Sequence, residues 1–213
     1  MLEFLQRAAR HSGRVAFRAA DHFATYQSLL ARSAGIAGAL LAGERDLAEE
    51  RVAFLLPAGD DYAALQWGIW RAGGVAVPLN RGAATGELLH VLRTAGVSRV
   101  IAGVAGDALR DACEAAGAAI TPFAEIDRGR VAVNLPDVDA GRRAMIVFTS
   151  GTTSKPKGVT HSHASLWHTA SNQAWTQGFG ADDIHLVSLS AAHIAAFAGQ
   201  VLCAAFEIGR AHV

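Results

Sequence analysis

From Thr25 onward, short runs rich in valine and isoleucine alternate with longer segments of helical period, and this alternation restricts the architecture more than any other feature of the chain. Helices placed between such runs cover both faces of a sheet, whose strands can then be parallel and buried. The expectation is an α/β fold of alternating strands and helices with a largely parallel sheet. Thr25 is placed to cap a helix from Tyr26 to about Ala42, with Leu29, Leu30, Ile36, Leu40 and Leu41 supplying its apolar face. Arg51 to Leu56 reads as a buried strand, broken by Pro57 and Gly59. Asp60 and Asp61 favour the start of a helix running from Tyr62 to Arg71 and ending at Gly73 and Gly74. The series continues with a strand at Val75 to Val77, a helix near Glu87 to Thr94 and a strand at Arg99 to Ala102. A helix near Asp107 to Ala116 and a short strand around Ala119 and Ile120 follow, with no fixed repeat length.

Between Asp127 and Arg143 the sequence turns polar, with Gly129, Pro136, Asp137, Asp139 and Gly141, so a loop and a possible subdomain boundary are expected near 127–143. Arg143 to Phe148 then reads as a strand. Ile184 to Phe206 is nearly as long and apolar as a membrane span. It contains His185, Ser188, Ser190, His193 and Gln200, and it passes from strand-like Ile184–Leu189 to a small-residue helix after His193, which favours a buried core over a membrane span. Nineteen basic residues balance nineteen acidic ones without blocks of like charge, which argues against a nucleic-acid or anionic-membrane partner. The opening residues lack the apolar core of a secretory signal, and Cys113 and Cys203 form no CxxC pair, so a cytoplasmic address with reduced thiols is expected.

Chemistry concentrates in one place. Thr149 to Val159 reads TSGTTSKPKGV, a cluster of hydroxyls around Gly151 followed by Lys155, Pro156, Lys157 and Gly158. Glycine lets backbone N–H groups turn toward an anion, hydroxyls donate further hydrogen bonds, and lysine supplies a point charge for polyphosphate. The spacing is not that of a P-loop NTPase, since no Gly-Lys-Ser/Thr follows a four-residue spacer, and no GxGxxG follows any expected strand. The competing reading is a Ser/Thr/Gly-rich surface turn. Immediately after it, His161 and His163 form an H-x-H pair that could chelate a metal. No carboxylate or cysteine of suitable spacing accompanies them, so solvated histidines at a helix entry are expected, and no metal site. Trp67 and Trp70 read as core anchors.

The loop resembles the signature of the adenylate-forming enzymes, a family that includes acyl-CoA synthetases, luciferases and peptide-synthetase adenylation domains. Phe148 to Val159 matches that pattern throughout except at Ser154, where glycine is usual. Arg51 to Asn80 and Tyr26 to Leu41 are similar to earlier passages of the same family. The resemblance implies that residues 1–206 form a partial N-terminal AMP-binding domain of an adenylate-forming enzyme. It further implies an ATP-dependent acid:thiol ligase, in which a carboxylate attacks the α-phosphate of ATP and a thiol then displaces AMP. The implied cofactors are ATP, Mg2+ and coenzyme A, and the implied partners are a small-molecule carboxylic acid, ATP and a thiol acceptor. By the match, Thr149, Ser150, Gly151, Thr152, Thr153 and Lys157 would hold the β- and γ-phosphates, while Lys155 falls at a variable, solvated position. His193 corresponds to an aromatic or histidine position near the acyl pocket, with a capped or core histidine as the competing reading. The QWGIWRAGGVAVPL stretch resembles malonyl-CoA synthetase relatives but lies outside the acid pocket, so the acid stays open.

The family's adenine, ribose and C-terminal lysine motifs do not occur after His193, which leads to the expectation that this chain alone is inactive in adenylation. Glu207 to Val213 is what a common sequencing adapter, GAGATCGGAAGAGCACACGTC, encodes in this frame. Residues 207–213 are therefore expected to be a translated adapter tail, or else a short exposed end. The alternatives are an adenylation domain of a peptide synthetase and a non-catalytic protein that binds nucleotide or a partner.

Overall fold

The expected alternation of strands and helices is realised in a computed structural model that describes residues 2–19, 21–127, 134–149, 155–187 and 203–212. The chain opens with α1 (Glu3–Arg10), β1 (Val15–Arg18) and β2 (Phe23–Thr25), followed by α2 (Tyr26–Leu41), β3 (Arg51–Leu55) and α3 (Asp60–Arg71). Next come β4 (Val75–Pro78), α4 (Thr85–Ala95), β5 (Arg99–Ala102), α5 (Asp107–Ala116), β6 (Ala119–Pro122) and the short α6 (Phe123–Ile126). Then follow β7 (Arg143–Thr149), β8 (Lys157–Ser162), α7 (His163–Gln177), β9 (Ile184–Leu186), α8 (Cys203–Glu207) and β10 (Arg210–His212).

Six strands form the main sheet in the order β6-β5-β3-β4-β7-β8. All neighbours are parallel except β7 and β8, which pair antiparallel. The period-2 alternation of strand side chains divides the core between two faces. Val52, Phe54, Ile101, Met145 and Val147 pack on the side of α2 and α3, whereas Ala53, Val77, Val100 and Ala102 pack with Leu88, Leu92 and Leu109 of α4 and α5. Residues 134–142, without helix or strand, lead into β7, which joins the same sheet beside β4.

Local sequence sets the element ends. Ser28 N donates to Thr25 Oγ1 at 3.2 Å, capping α2 as expected. α4 and α5 stop at Gly96 and Gly117, both left-handed, with φ of 64° and 71°. Two polar ties fix where β7 begins. Arg142 donates to Asp46 Oδ2 at 2.6 Å and to the Gly73 carbonyl at 2.7 Å, and Arg143 pairs with Glu49. Trp67 and Trp70 are core anchors, 3% and 1% exposed, and Trp70 Nε1 donates to the Ala144 carbonyl at 2.7 Å, joining α3 to β7.

One finding adds to the sequence reading and two differ from it. The opening residues form a helix whose Phe4 packs edge-on against Trp67 and Trp70, at centroid distances of 5.1 and 5.5 Å. The residues after the loop, expected to enter a helix directly, first form β8, because β7 offers them an open edge. The end of the chain is also packed: β10 lies between β1 and β9, parallel to both, with Ile208 and Ala211 only 2% and 1% exposed. Tyr26 donates its hydroxyl to the Gly209 carbonyl at 2.8 Å. Apolar side chains at 208 and 211 and an available strand edge explain why this segment is not a short exposed end. Among the described residues no helix is long and apolar enough to cross a membrane. The small-residue helix expected after His193 lies outside them.

Candidate functional site

β7 runs parallel to β4, so its last residue, Thr149, emerges at the same sheet edge as the carboxyl ends of β3 and β4. Open α/β sheets bind ligands at that edge. β8 returns antiparallel, and the last pair before the loop is Thr149 with Lys157. Directly opposed residues of an antiparallel pair bring their Cβ atoms to about 5 Å. Thr149 and Lys157, both exposed, are therefore neighbours across the β7–β8 pair. Lys155 is exposed, as expected of a solvated side chain. Ser150, Gly151, Thr152, Thr153 and His193 lie outside the described residues.

The stems of the loop are held on the α4 side of the sheet. Phe148 lies across β8, made possible by Gly158: a Cβ there would come within 3.0 Å of the Phe148 ring and 3.1 Å of Ile146. The same ring meets that of His90 of α4, with centroids 6.3 Å apart and planes at 83°. His90 also donates from Nε2 to the Pro156 carbonyl at 2.8 Å. Nothing in the local sequence marks His90, because its partner is 66 residues away.

The H-x-H pair is arranged differently from expectation. His161 is half-buried on β8, and burial lowers its pKa. His163 is not solvated; it starts α7, is 7% exposed, and presents its ring edge-on to Trp70 at 5.5 Å. Burial, reinforced by the Arg142 charge and opposed by Glu49, pulls its pKa down to about 4. The imidazole is therefore neutral near pH 7, and its buried Nε2 has no hydrogen-bond partner. Its apolar surroundings come from Trp70 and Leu166, which a one-dimensional pattern of two histidines does not reveal. Among the described residues no group of three His, Cys, Asp or Glu is placed to hold a metal ion. A cavity of about 330 Å³ lined by Phe4, Trp70, His163, Leu166 and Trp167 opens at the end of β8 away from Thr149 and Lys157.

An open, mostly parallel sheet thus carries the hydroxyl-, glycine- and lysine-rich sequence between the carboxyl end of β7 and the start of β8, the edge at which α/β sheets bind ligands. The chain belongs to the AMP-binding enzyme family, which it matches over residues 4–213. It is 33% identical over 165 residues to the human mitochondrial malonate–CoA ligase ACSF3, covering 74% of this chain and 29% of that protein. It is 32% identical over 166 residues to the long-chain-fatty-acid–CoA ligase FadD13 of Mycobacterium tuberculosis, covering 73% and 33% respectively. The ATP-bound structure of MatB from Rhodopseudomonas palustris has the same fold, with a TM-score of 0.86 at 23% identity, over 100% of this chain and 45% of that one. The chain spans about a third of the length of the relatives it matches. The adenylate-forming family and the α/β fold expected from the sequence are both present.

Proposed function

We propose that this chain carries the nucleotide-phosphate site of an ATP-dependent acid:thiol ligase of the acyl-CoA synthetase kind. The observation that carries the reading is the Thr149–Lys157 pair at the carboxyl edge of the sheet, in a chain that belongs to the AMP-binding family. Thr149, Ser150, Gly151, Thr152 and Thr153 would donate hydrogen bonds to the β- and γ-phosphates, and Lys157 would neutralise their charge. Fixing those phosphates presents the α-phosphorus to a carboxylate oxygen. The new bond is carboxyl oxygen to phosphorus, the broken bond releases pyrophosphate, and the thiol of coenzyme A or a carrier then attacks the acyl carbon and expels AMP. Holding both reactants in line is the larger part of such catalysis.

The described residues offer no carboxylate cluster for Mg2+. The ion would be carried on the ATP phosphates, where it supplies charge neutralisation, and the chain's own part is to bind and orient. His193 is proposed to border the acyl pocket. The relatives' names give malonate in one case and a long-chain fatty acid in another, so the acid here is defined only as a carboxylic acid. A cytoplasmic address is proposed from the sequence, although ACSF3 is mitochondrial by name.

Titration of the chain with ATP and with inorganic tripolyphosphate tests the reading. Tripolyphosphate should compete with ATP, and acid-dependent ATP–pyrophosphate exchange should be absent for the chain alone, which has the phosphate loop without the family's adenine and ribose motifs. Failure of both ligands to bind would end the proposal.

A further inference from the structure

We infer that His90 is a positioning residue for the phosphate loop, latching the returning stem to α4 through the Pro156 carbonyl while its ring braces Phe148 on the outgoing stem. The inference rests on reading residues 149–158 as a phosphate loop. Three contacts meet at this point. The 2.8 Å hydrogen bond from His90 Nε2 ends on Pro156, immediately before Lys157. The edge-on contact with Phe148 ends immediately before Thr149. Phe148 in turn lies against Gly158, its pairing partner in β8. One side chain of a helix thus touches β7 at Phe148 and the residue that leads into β8, each contact lying next to one of the two residues proposed to face the anion.

The consequence for Lys157 follows from backbone geometry. The proline ring fixes φ at Pro156, and the peptide joining Pro156 to Lys157 is planar. Holding the Pro156 carbonyl therefore fixes the orientation of the Lys157 N–H and the position of its Cα, from which the β-pairing with Thr149 sets the side chain's direction. Without the latch, that carbonyl would turn to water and the returning stem would lose its hydrogen bond to α4. The bond needs a hydrogen on Nε2, which histidine can carry, and Thr94 Oγ1 stands 3.5 Å from Nδ1 on the other side of the ring.

The test uses the full 213-residue chain with His90→Ala, His90→Phe and His90→Gln. Glutamine places an amide N–H about where histidine has Nε2, whereas phenylalanine keeps a ring against Phe148 and loses the donor. Hydrogen exchange of the peptide covering residues 149–160 reports the loop, and titration with inorganic tripolyphosphate reports phosphate binding. His90→Ala and His90→Phe should speed exchange there and weaken tripolyphosphate binding by roughly 2- to 10-fold, the worth of one net hydrogen bond. His90→Gln should restore both toward the parent chain. Exchange in α2 and α3 serves as the control for general unfolding; if it rises in His90→Ala, the better-packed His90→Phe decides. Unchanged exchange and affinity in the alanine and phenylalanine variants, or no rescue by glutamine, overturns the inference. If the parent chain binds no tripolyphosphate, the phosphate reading fails and the role of His90 in it falls too, while exchange alone still shows whether the latch exists.

Discussion

Ile36 of α2 rests on the bare backbone of Gly68 in α3, so closely that a Cβ at 68 would lie 2.4 Å from its Cγ2 and 2.8 Å from its Cβ. Both elements pack on the sheet face that carries Val147, so their spacing contributes to where β7 sits. Gly68→Ala gains about 1 kcal/mol of helix propensity but forces a stiff β-branched side chain to move, an overpacking cost of about 1–3 kcal/mol. Net destabilisation on the order of 1 kcal/mol is expected in urea unfolding. Combined with Ile36→Ala, the two losses should add to less than their sum, because the second change removes the clash. A stabilised Gly68→Ala chain would show that α2 is free to shift.

Lys157 and Lys155 are both exposed, yet only Lys157 is paired across from Thr149. Hydrogen bonds to charged groups are worth about 1.5–3 kcal/mol, so Lys157→Ala should weaken tripolyphosphate binding roughly 10- to 100-fold. Lys155→Ala should change it by about 2-fold or less, as a solvated charge near the loop. Calorimetric titration of both variants measures this, and equal losses would remove Lys157 from its assigned place.

His163 gives the protein an acid-side sensitivity. Its folded-state pKa, near 4, lies below the ordinary 6.5, so between those values the unfolded chain takes up a proton that the folded chain refuses. Stability should hold at neutral pH and fall as pH drops from about 6.5 toward 4, by on the order of 3 kcal/mol. Urea midpoints across that range measure the slope. His163→Phe, which keeps a ring against Trp70, should flatten it; a slope left intact would assign the effect to another group.

His22 acts with the opposite sign. Its ring nitrogens lie 3.0 Å from Asp60 and 3.0 Å from Asp21, and the bond to Asp60, aided by that to Asp21, pushes its pKa up to about 9. The charged form is favoured in the folded state, so its contribution is complete below about pH 6.5 and disappears as pH rises through 9. The site is exposed, which keeps the effect small. Thermal midpoints near pH 6 and pH 10 for the parent chain and His22→Asn should differ at the lower pH and converge at the higher; a constant difference would mean the ion pair contributes nothing.

The sequence was most legible where period and punctuation agree. Arg99–Ala102 and Asp107–Ala116 have the bounds read from their pattern, since a short β-branched run, a first-turn aspartate and a closing glycine act together. α1 was not legible because Phe4, Leu5 and Ala8 make a stripe of only two turns, which becomes helical by packing on Trp67 and Trp70. β8, KGVTHS, has no apolar alternation; it is a strand because β7 pairs with it. At the proposed site, the motif names Thr149 and Lys157 by residue type, and the structure adds that they are paired across β7 and β8. The burial of His163 and the reach of His90 were not, because both depend on side chains brought in by distant elements.

The place of β7 in the sheet also sets an order of assembly. β3 to β6 lie close along the chain, so their βαβ units can close while later residues are still being synthesised. β7 must then dock on β4 across everything from α4 to α6, leaving the β4 edge uncovered until it arrives. A slip of one residue on docking would turn Phe148 toward the wrong face and carry it away from α4. The pairing of Thr149 with Lys157 is thus acquired late in folding, and a nascent chain stalled before residue 143 would expose a strand edge open to pairing with its neighbours.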